Sequence, residues 1–128
     1  MSRAQRDKGK RGERLWRDEL RGHGFVAERA GYKQAHLGGG GADVEDNSGW
    51  WPEVKFVESL NVRKSYEQAE KACPIGVPPY VAHKTSAKPW LATLAGSDFL
   101  RVLAELRDLR EKLLQLEKRL KEVADSTA

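Results

Sequence analysis

The sequence predicts a mixed α/β domain followed by one long helix, and three observations carry that reading. Short segments with an apolar period of two alternate with stretches of helical period over most of the chain. From Asp98 to about Val123 the apolar residues recur three and four apart. Between these regions, Gly38 to Lys55 leads a glycine-rich loop into two extended segments carrying Asp43, Glu53 and Lys55.

A length of 128 residues suits one compact domain. The 39% hydrophobic share provides one small core, and the 33% charged share, mixed in sign, argues against wholesale disorder. A net charge of +4 permits a nucleic-acid partner without demanding one. Cys73 is the sole cysteine, so no intrachain disulfide forms. No apolar run reaches the roughly 20 residues of a membrane span, and the polar, basic N-terminus has no signal pattern. A soluble, cytoplasmic protein is expected.

Taken in order, residues 1–11 carry Arg3, Arg6, Lys8, Lys10 and Arg11 against the single acid Asp7. They predict a basic, partly flexible arm that can touch phosphates. A helix then begins between Lys8 and Gly12 and stops at Gly22-His23-Gly24. Glu13, Trp16 and Leu20 share one helical face. An acid on a buried stripe needs a partner: either Arg17, four residues on, or a site shared with Asp43 and Glu53.

Phe25 to Ala30 reads as a strand and Gly31 to Gly41 as a loop. Its four consecutive glycines let backbone approach a ligand closely. It is not a phosphate-binding P-loop, because the lysine and Ser/Thr that should follow are missing. The segments on either side of the turn at Asn47-Ser48-Gly49 read as a hairpin, which would bring Asp43 beside Glu53. Pro52 removes a ladder donor and so marks an edge position or a bulge. Trp50 and Trp51 suit a core or interface better than base stacking.

Asn61 is a suitable N-cap for a helix running to about Ala72. Val62, Tyr66, Ala69 and Cys73 form its core side, with Gln68 beside them. Pro79 to Thr85 and Pro89 to Leu94 read as strands joined by the turn Thr85-Ser86-Ala87-Lys88, which is expected to lie near a nucleic-acid backbone.

In the last helix Phe99, Leu106, Leu113 and Leu120 take position a of a heptad, and Val102, Leu109, Leu116 and Val123 take position d. In a parallel dimer Glu105 would meet Arg110 and Lys112 would meet Glu117, both attractive. A parallel coiled-coil homodimer is therefore expected. Such exposed pairs contribute only about 0.2–1 kcal/mol each.

Glu53 and Lys55, two apart on a strand, project from one face. Two carboxylates and an ammonium in one small volume cost energy unless a cation sits between the acids. Hard oxygen ligands suit a magnesium-like ion. His23, His36, His83 and Cys73 fall into no zinc spacing. Cys73 on the core side of a helix needs no other role, and no nucleophilic-serine elbow is present.

Ala42-Asp43 followed by Glu53-Val54-Lys55 resembles the PD-(D/E)xK nuclease superfamily, with Ala42 in place of the motif's proline. Lys8-Gly9-Lys10-Arg11-Gly12-Glu13, a Gly24-Phe25 after the first helix, and Gln68 on the following one add a likeness to the archaeal-type Holliday junction resolvases. The likeness spans roughly residues 8–95 and leaves the coiled-coil tail outside. It implies a restriction-endonuclease-like central mixed sheet flanked by helices; taken with the heptads, it places a nuclease domain over residues 1–96 and a coiled-coil helix over 97–128.

It also implies metal-dependent cleavage of four-way DNA junctions by phosphodiester hydrolysis. Asp43 and Glu53 would bind Mg2+ (or Mn2+), Glu13 would complete the metal shell, Lys55 would orient or activate water, and Gln68 would support the site. Arg3, Arg6, Lys8, Lys10, Arg11, Arg29, Lys33, Lys84 and Lys88 are the expected DNA contacts. Another branched-DNA, flap or nicking nuclease, or a non-catalytic dimeric DNA-binding protein, is the alternative.

Overall fold

The structure, a computed structural model, describes residues 2–30 and 43–127. The chain divides into two compact units, Met1–Leu94 and Ala95–Ala128. The first holds α1 (Arg3–Gly22), β1 (Ala27–Arg29), β2 (Val44–Asp46), β3 (Trp51–Phe56), α2 (Val62–Ala72), β4 (Pro79–Lys84) and β5 (Leu91–Leu94). The second is α3 (Gly96–Thr127). Among the described residues no helix is long and apolar enough to cross a membrane.

Helix α1 begins at Arg3, so the basic segment expected as a partly flexible arm is helical instead. The cause is local. Ser2 Oγ accepts the Gln5 N–H at 3.1 Å and the Gln5 side chain accepts the Ser2 N–H at 2.9 Å, a capping box that satisfies two terminal donors. The arginines and lysines that follow are good helix formers. Further along, Gly12 is buried where α1 crosses β3: a Cβ there would meet Phe56 Cβ at 2.6 Å. Glycine lets the helix backbone lie against that side chain.

The main sheet has the order β3-β4-β5, with β3 and β4 parallel and β4 and β5 antiparallel. It is a mixed sheet, with β3 at one edge. Pro52 lies on that edge strand, as its missing donor requires. Helix α1 packs on β3 and α2 mainly on β4. Phe56 meets α1 while Lys55, next to it on the strand, reaches Gln68 of α2. The two helices thus cover opposite faces, and Val81 and Ala82 between them are fully buried.

Strand β2 does not form the expected hairpin with β3. It pairs antiparallel with β1, Ala27 opposite Asp46 and Arg29 opposite Val44, in a separate two-stranded sheet. Asn47 extends that ladder: its N–H donates to Val26 O at 3.2 Å, and its Oδ1 accepts the Val26 N–H at 3.0 Å. The turn residues are thus committed to β1, and the chain passes on to β3 without reversing against β2.

Leu20, Ala27, Val44 and Val54 form a buried cluster, against which Trp16 and Trp90 pack. Trp16 Nε1 donates to the Tyr80 hydroxyl at 3.0 Å. Burial is the main reason that the Tyr80 phenol is pushed up to about 12. Trp50 meets the Tyr80 ring edge-on, with centroids 6.3 Å apart, a packing role.

In the second unit, α3 runs for 32 residues and none of them is buried. Its apolar seam, including Leu106, Leu109, Leu113 and Leu116, is exposed.

Candidate active site

Asp43 connects the two sheets. Its backbone carbonyl accepts the Ala30 N–H at 3.1 Å, continuing the β1 side, while its carboxylate Oδ2 accepts the Val54 N–H at 2.9 Å. Val54 lies on the outer edge of β3, where no described strand supplies an acceptor. A side-chain oxygen takes the place of the missing neighbour. Asp43 therefore reaches Glu53 by a carboxylate-to-backbone bond instead of a hairpin ladder.

Among the described residues Glu53 is the one charged residue that is buried, with 7% of its surface exposed. Lys55 Nζ lies 3.3 Å from Glu53 Oε1 and donates to Gln68 Oε1 at 3.2 Å. Residue 55 is thus held between an acid on its own strand and an amide on α2. Glu13 comes from α1 and accepts from Arg29 Nε at 2.7 Å. Its pairing with Arg17 does not form, since Arg17 bonds Asp18 instead.

The three acids share one electrostatic environment. Burial pushes the Glu13, Asp43 and Glu53 carboxyls above the usual carboxylate range. The charge of Asp43 raises both Glu13 and Glu53 further. Arg29 counteracts this at Glu13, the Val54 N–H and Lys55 at Asp43, and Lys55 at Glu53. Acids held in mutual repulsion by a fold form a donor set that favours a hard cation.

Among the described residues, no group of three or more His, Cys, Asp or Glu side chains is set to hold one metal ion. The Glu13 carboxylate is turned to Arg29, leaving Asp43 and Glu53 as the pair that could receive one.

These residues line a cleft of about 670 Å³ together with Arg6, Lys8, Lys10 and Gln68. The lining cations attract a polyanion, whereas the acids repel one unless a cation is bound between them. Arg3 is exposed on the first turn of α1. The other expected DNA contacts divide. Arg29 is engaged by Glu13 and is not free for a phosphate. Arg11 and Lys84 lie over the Phe56 ring, 5.2 and 6.0 Å from its centroid. Lys84 Nζ also donates to the carbonyls of Thr85 and Lys88, and Lys88 is exposed. Lys33, with the whole glycine loop from Gly31 to Gly41, lies outside the described residues.

Sequence reasoning missed Phe56 and Glu58. Lys8 Nζ lies 4.9 Å from the Phe56 centroid, so three cations gather around one buried ring. The available signal was Gly12, a helix-interior glycine that implies close approach by another element.

An acidic cluster at the edge of a mixed sheet with helices on both faces defines a nuclease-like α/β fold. No family model matches the chain, and no curated protein matches it. Among solved structures it is similar to Archaeoglobus fulgidus Hjc, a Holliday junction resolvase from an archaeal hyperthermophile. The TM-score is 0.51 and the identity 27%, over 66% of this chain and 73% of that one. The likeness supports the expected fold.

Proposed function

We propose that this chain is a metal-dependent endonuclease that cleaves branched DNA, with the four-way junction as its substrate in recombination and repair. The observation that carries the reading is the convergence of Asp43, Glu53 and Lys55 at the free edge of β3, inside a cleft walled by cations. The likeness to a resolvase supports it.

Asp43 and Glu53 would hold the ion, Mg2+ or Mn2+, and Glu13 would join through water or on release from Arg29. When bound there, a divalent cation would supply charge neutralisation at the phosphoryl oxygens and a more acidic water. The protein's own groups do the rest. The Val54 N–H fixes one oxygen of Asp43 and so aims the other. Gln68 holds the Lys55 ammonium beside the acids. There it can orient a nucleophilic water and steady developing charge without occupying a coordination position. Arg6, Lys8 and Lys10 would take flanking phosphates.

A homodimer is part of this reading, because resolution requires two cuts and a two-fold protein presents two matching sites. The exposed heptads of α3 supply the contact. The test is incubation of a labelled four-way junction with magnesium or with chelator, mapping both strands. Two symmetric cuts dependent on the metal are expected. Equal cleavage of junction, flap and linear duplex would remove the substrate assignment, and cleavage in chelator would remove the metal.

A further inference from the structure

Three hydrogen-bond donors converge on a single oxygen, Glu58 Oε1. The Ser86 hydroxyl donates at 2.7 Å, Lys8 Nζ at 2.9 Å and the Ser86 N–H at 3.3 Å. Glu58 stands just beyond β3, and its side chain is 61% exposed. Ser86 lies in the turn between β4 and β5, closed by the Lys88 N–H donating to Thr85 O at 3.3 Å. In that turn Ala87 takes a φ of +63°, a left-handed conformation that costs a residue with a Cβ energy.

Exposed ion pairs contribute little, yet here a strained turn presents a backbone N–H and a hydroxyl to an acid at the surface. The donor set of amide, hydroxyl and ammonium is the one that grips phosphate oxygens in nucleic-acid complexes. The surroundings are cationic as well. Lys8, Arg11 and Lys84 crowd the Phe56 ring, and Lys8 also lines the catalytic cleft, so the cradle opens beside it.

We propose that Ser86 and Lys8 form a binding site for a DNA backbone phosphate, and that Glu58 is an internal stand-in which the phosphate displaces. The inference rests on the reading of this chain as a DNA nuclease. Carboxylate and phosphodiester each carry one negative charge, so the exchange leaves the cradle satisfied before and after binding. The displaced Glu58 then faces the DNA, and its repulsion lowers the net affinity. A ligand must offer enough further contacts to offset that cost, which favours a large, bent substrate over a weakly held duplex. The free protein fits this picture: the Ser86 hydroxyl first, then Lys8, hold the Glu58 carboxyl down at about 2.

The test measures four-way-junction affinity in chelator, so that no cleavage intervenes, with Glu58→Gln, Glu58→Asp and Ser86→Ala in the full chain. Glu58→Gln is expected to bind roughly three- to tenfold more tightly. Glu58→Asp keeps the charge but withdraws it from the cradle, so it too should bind more tightly. Ser86→Ala should weaken binding about fivefold in the Glu58→Gln background and less in the wild type, because only the freed cradle meets the phosphate directly.

Carbon-detected NMR of the wild type gives a second measurement that needs no variant. The Glu58 carboxyl should return toward its ordinary value of about 4.3 when the junction binds. If the junction binds but Glu58 keeps its depressed titration, and Glu58→Asp and Ser86→Ala match the wild type, this inference fails and the nuclease reading stands. If the wild type binds no junction at all, it is the nuclease reading that fails.

Discussion

At neutral pH the carboxylates of Glu13, Asp43 and Glu53 sit where burial and mutual repulsion disfavour their charge. A carboxyl raised in the folded state contributes stability that is present below the unfolded value and lost as pH rises through the folded one. The cluster therefore burdens the metal-free fold at pH 7. Asp43→Asn keeps an oxygen for the Val54 N–H and removes one buried charge. Calorimetry in chelator should show its Tm a few degrees above wild type. Magnesium should then raise the wild-type Tm and leave the variant's unchanged, while the variant's cleavage is lost. A lower Tm for the variant in chelator would contradict the electrostatic account.

Glu58 works in the opposite sense. Its carboxyl is lowered to about 2, so its contribution is present above the unfolded value and is lost as pH falls toward 2. Lys55→Ala should leave folding intact, since Lys55 ends in polar contacts only, and should cut the cleavage rate by roughly 10²–10³-fold. Gln68→Ala should give a smaller loss in single-turnover cleavage, because it removes the support and not the charge. At this scale the common projection of Glu53 and Lys55 was legible in the sequence, because a spacing of two on a strand defines it, whereas Asp43 was expected beside them through a hairpin and arrives instead through its bond to the Val54 N–H. The partner of Glu13 was not legible. Arg17, at helical spacing, was the local candidate, and Arg29 comes from a strand that only the fold brings near.

Elements were legible where their ends carry chemical signals. Asn61 caps α2 as its side chain requires, accepting the Lys64 N–H at 3.0 Å. The start of α1 was missed although Ser2 and Gln5 spell a capping box, because the segment has too little apolar periodicity to declare a helix. The β2–β3 hairpin was misread for a different reason. A turn signal shows that the chain bends, but not which strand it pairs with afterwards, and the bonds of Asn47 to Val26 decide that here. The docking of α1 on β3 gives the prediction for this scale. Gly12→Ala places a Cβ 2.6 Å from Phe56 Cβ, at the ring that gathers Lys8, Arg11 and Lys84. Urea denaturation should show a loss of about 1–3 kcal/mol, and DNA affinity should fall with it as the cationic wall shifts. Gly9→Ala, three residues earlier with open space around it, should be tolerated and serves as the control.

For the whole molecule, the proposed dimer raises the question of how two sites would reach one junction. Helix α3 follows β5 directly in the chain and spans 32 residues, a length of about 48 Å. In a parallel coil the two N-terminal ends of α3 meet, and both catalytic units are attached at the same end. In a fully overlapped antiparallel coil the attachment points would be separated by about that helix length, leaving each unit to work alone. Two cuts on one junction thus favour the parallel arrangement, in agreement with the attractive pairs Glu105–Arg110 and Lys112–Glu117. Replacing Leu109 by cysteine in a Cys73→Ser background tests it, because position d meets its own counterpart only when the helices run parallel. Mild oxidation should give a disulfide-linked dimer that still cuts both strands of the junction. Leu109→Lys should instead yield a monomer by sedimentation and separate the paired cuts into independent nicks. Failure of the cysteine variant to cross-link while sedimenting as a dimer would exclude the parallel coil. A wild type that sediments as a monomer would exclude the dimer.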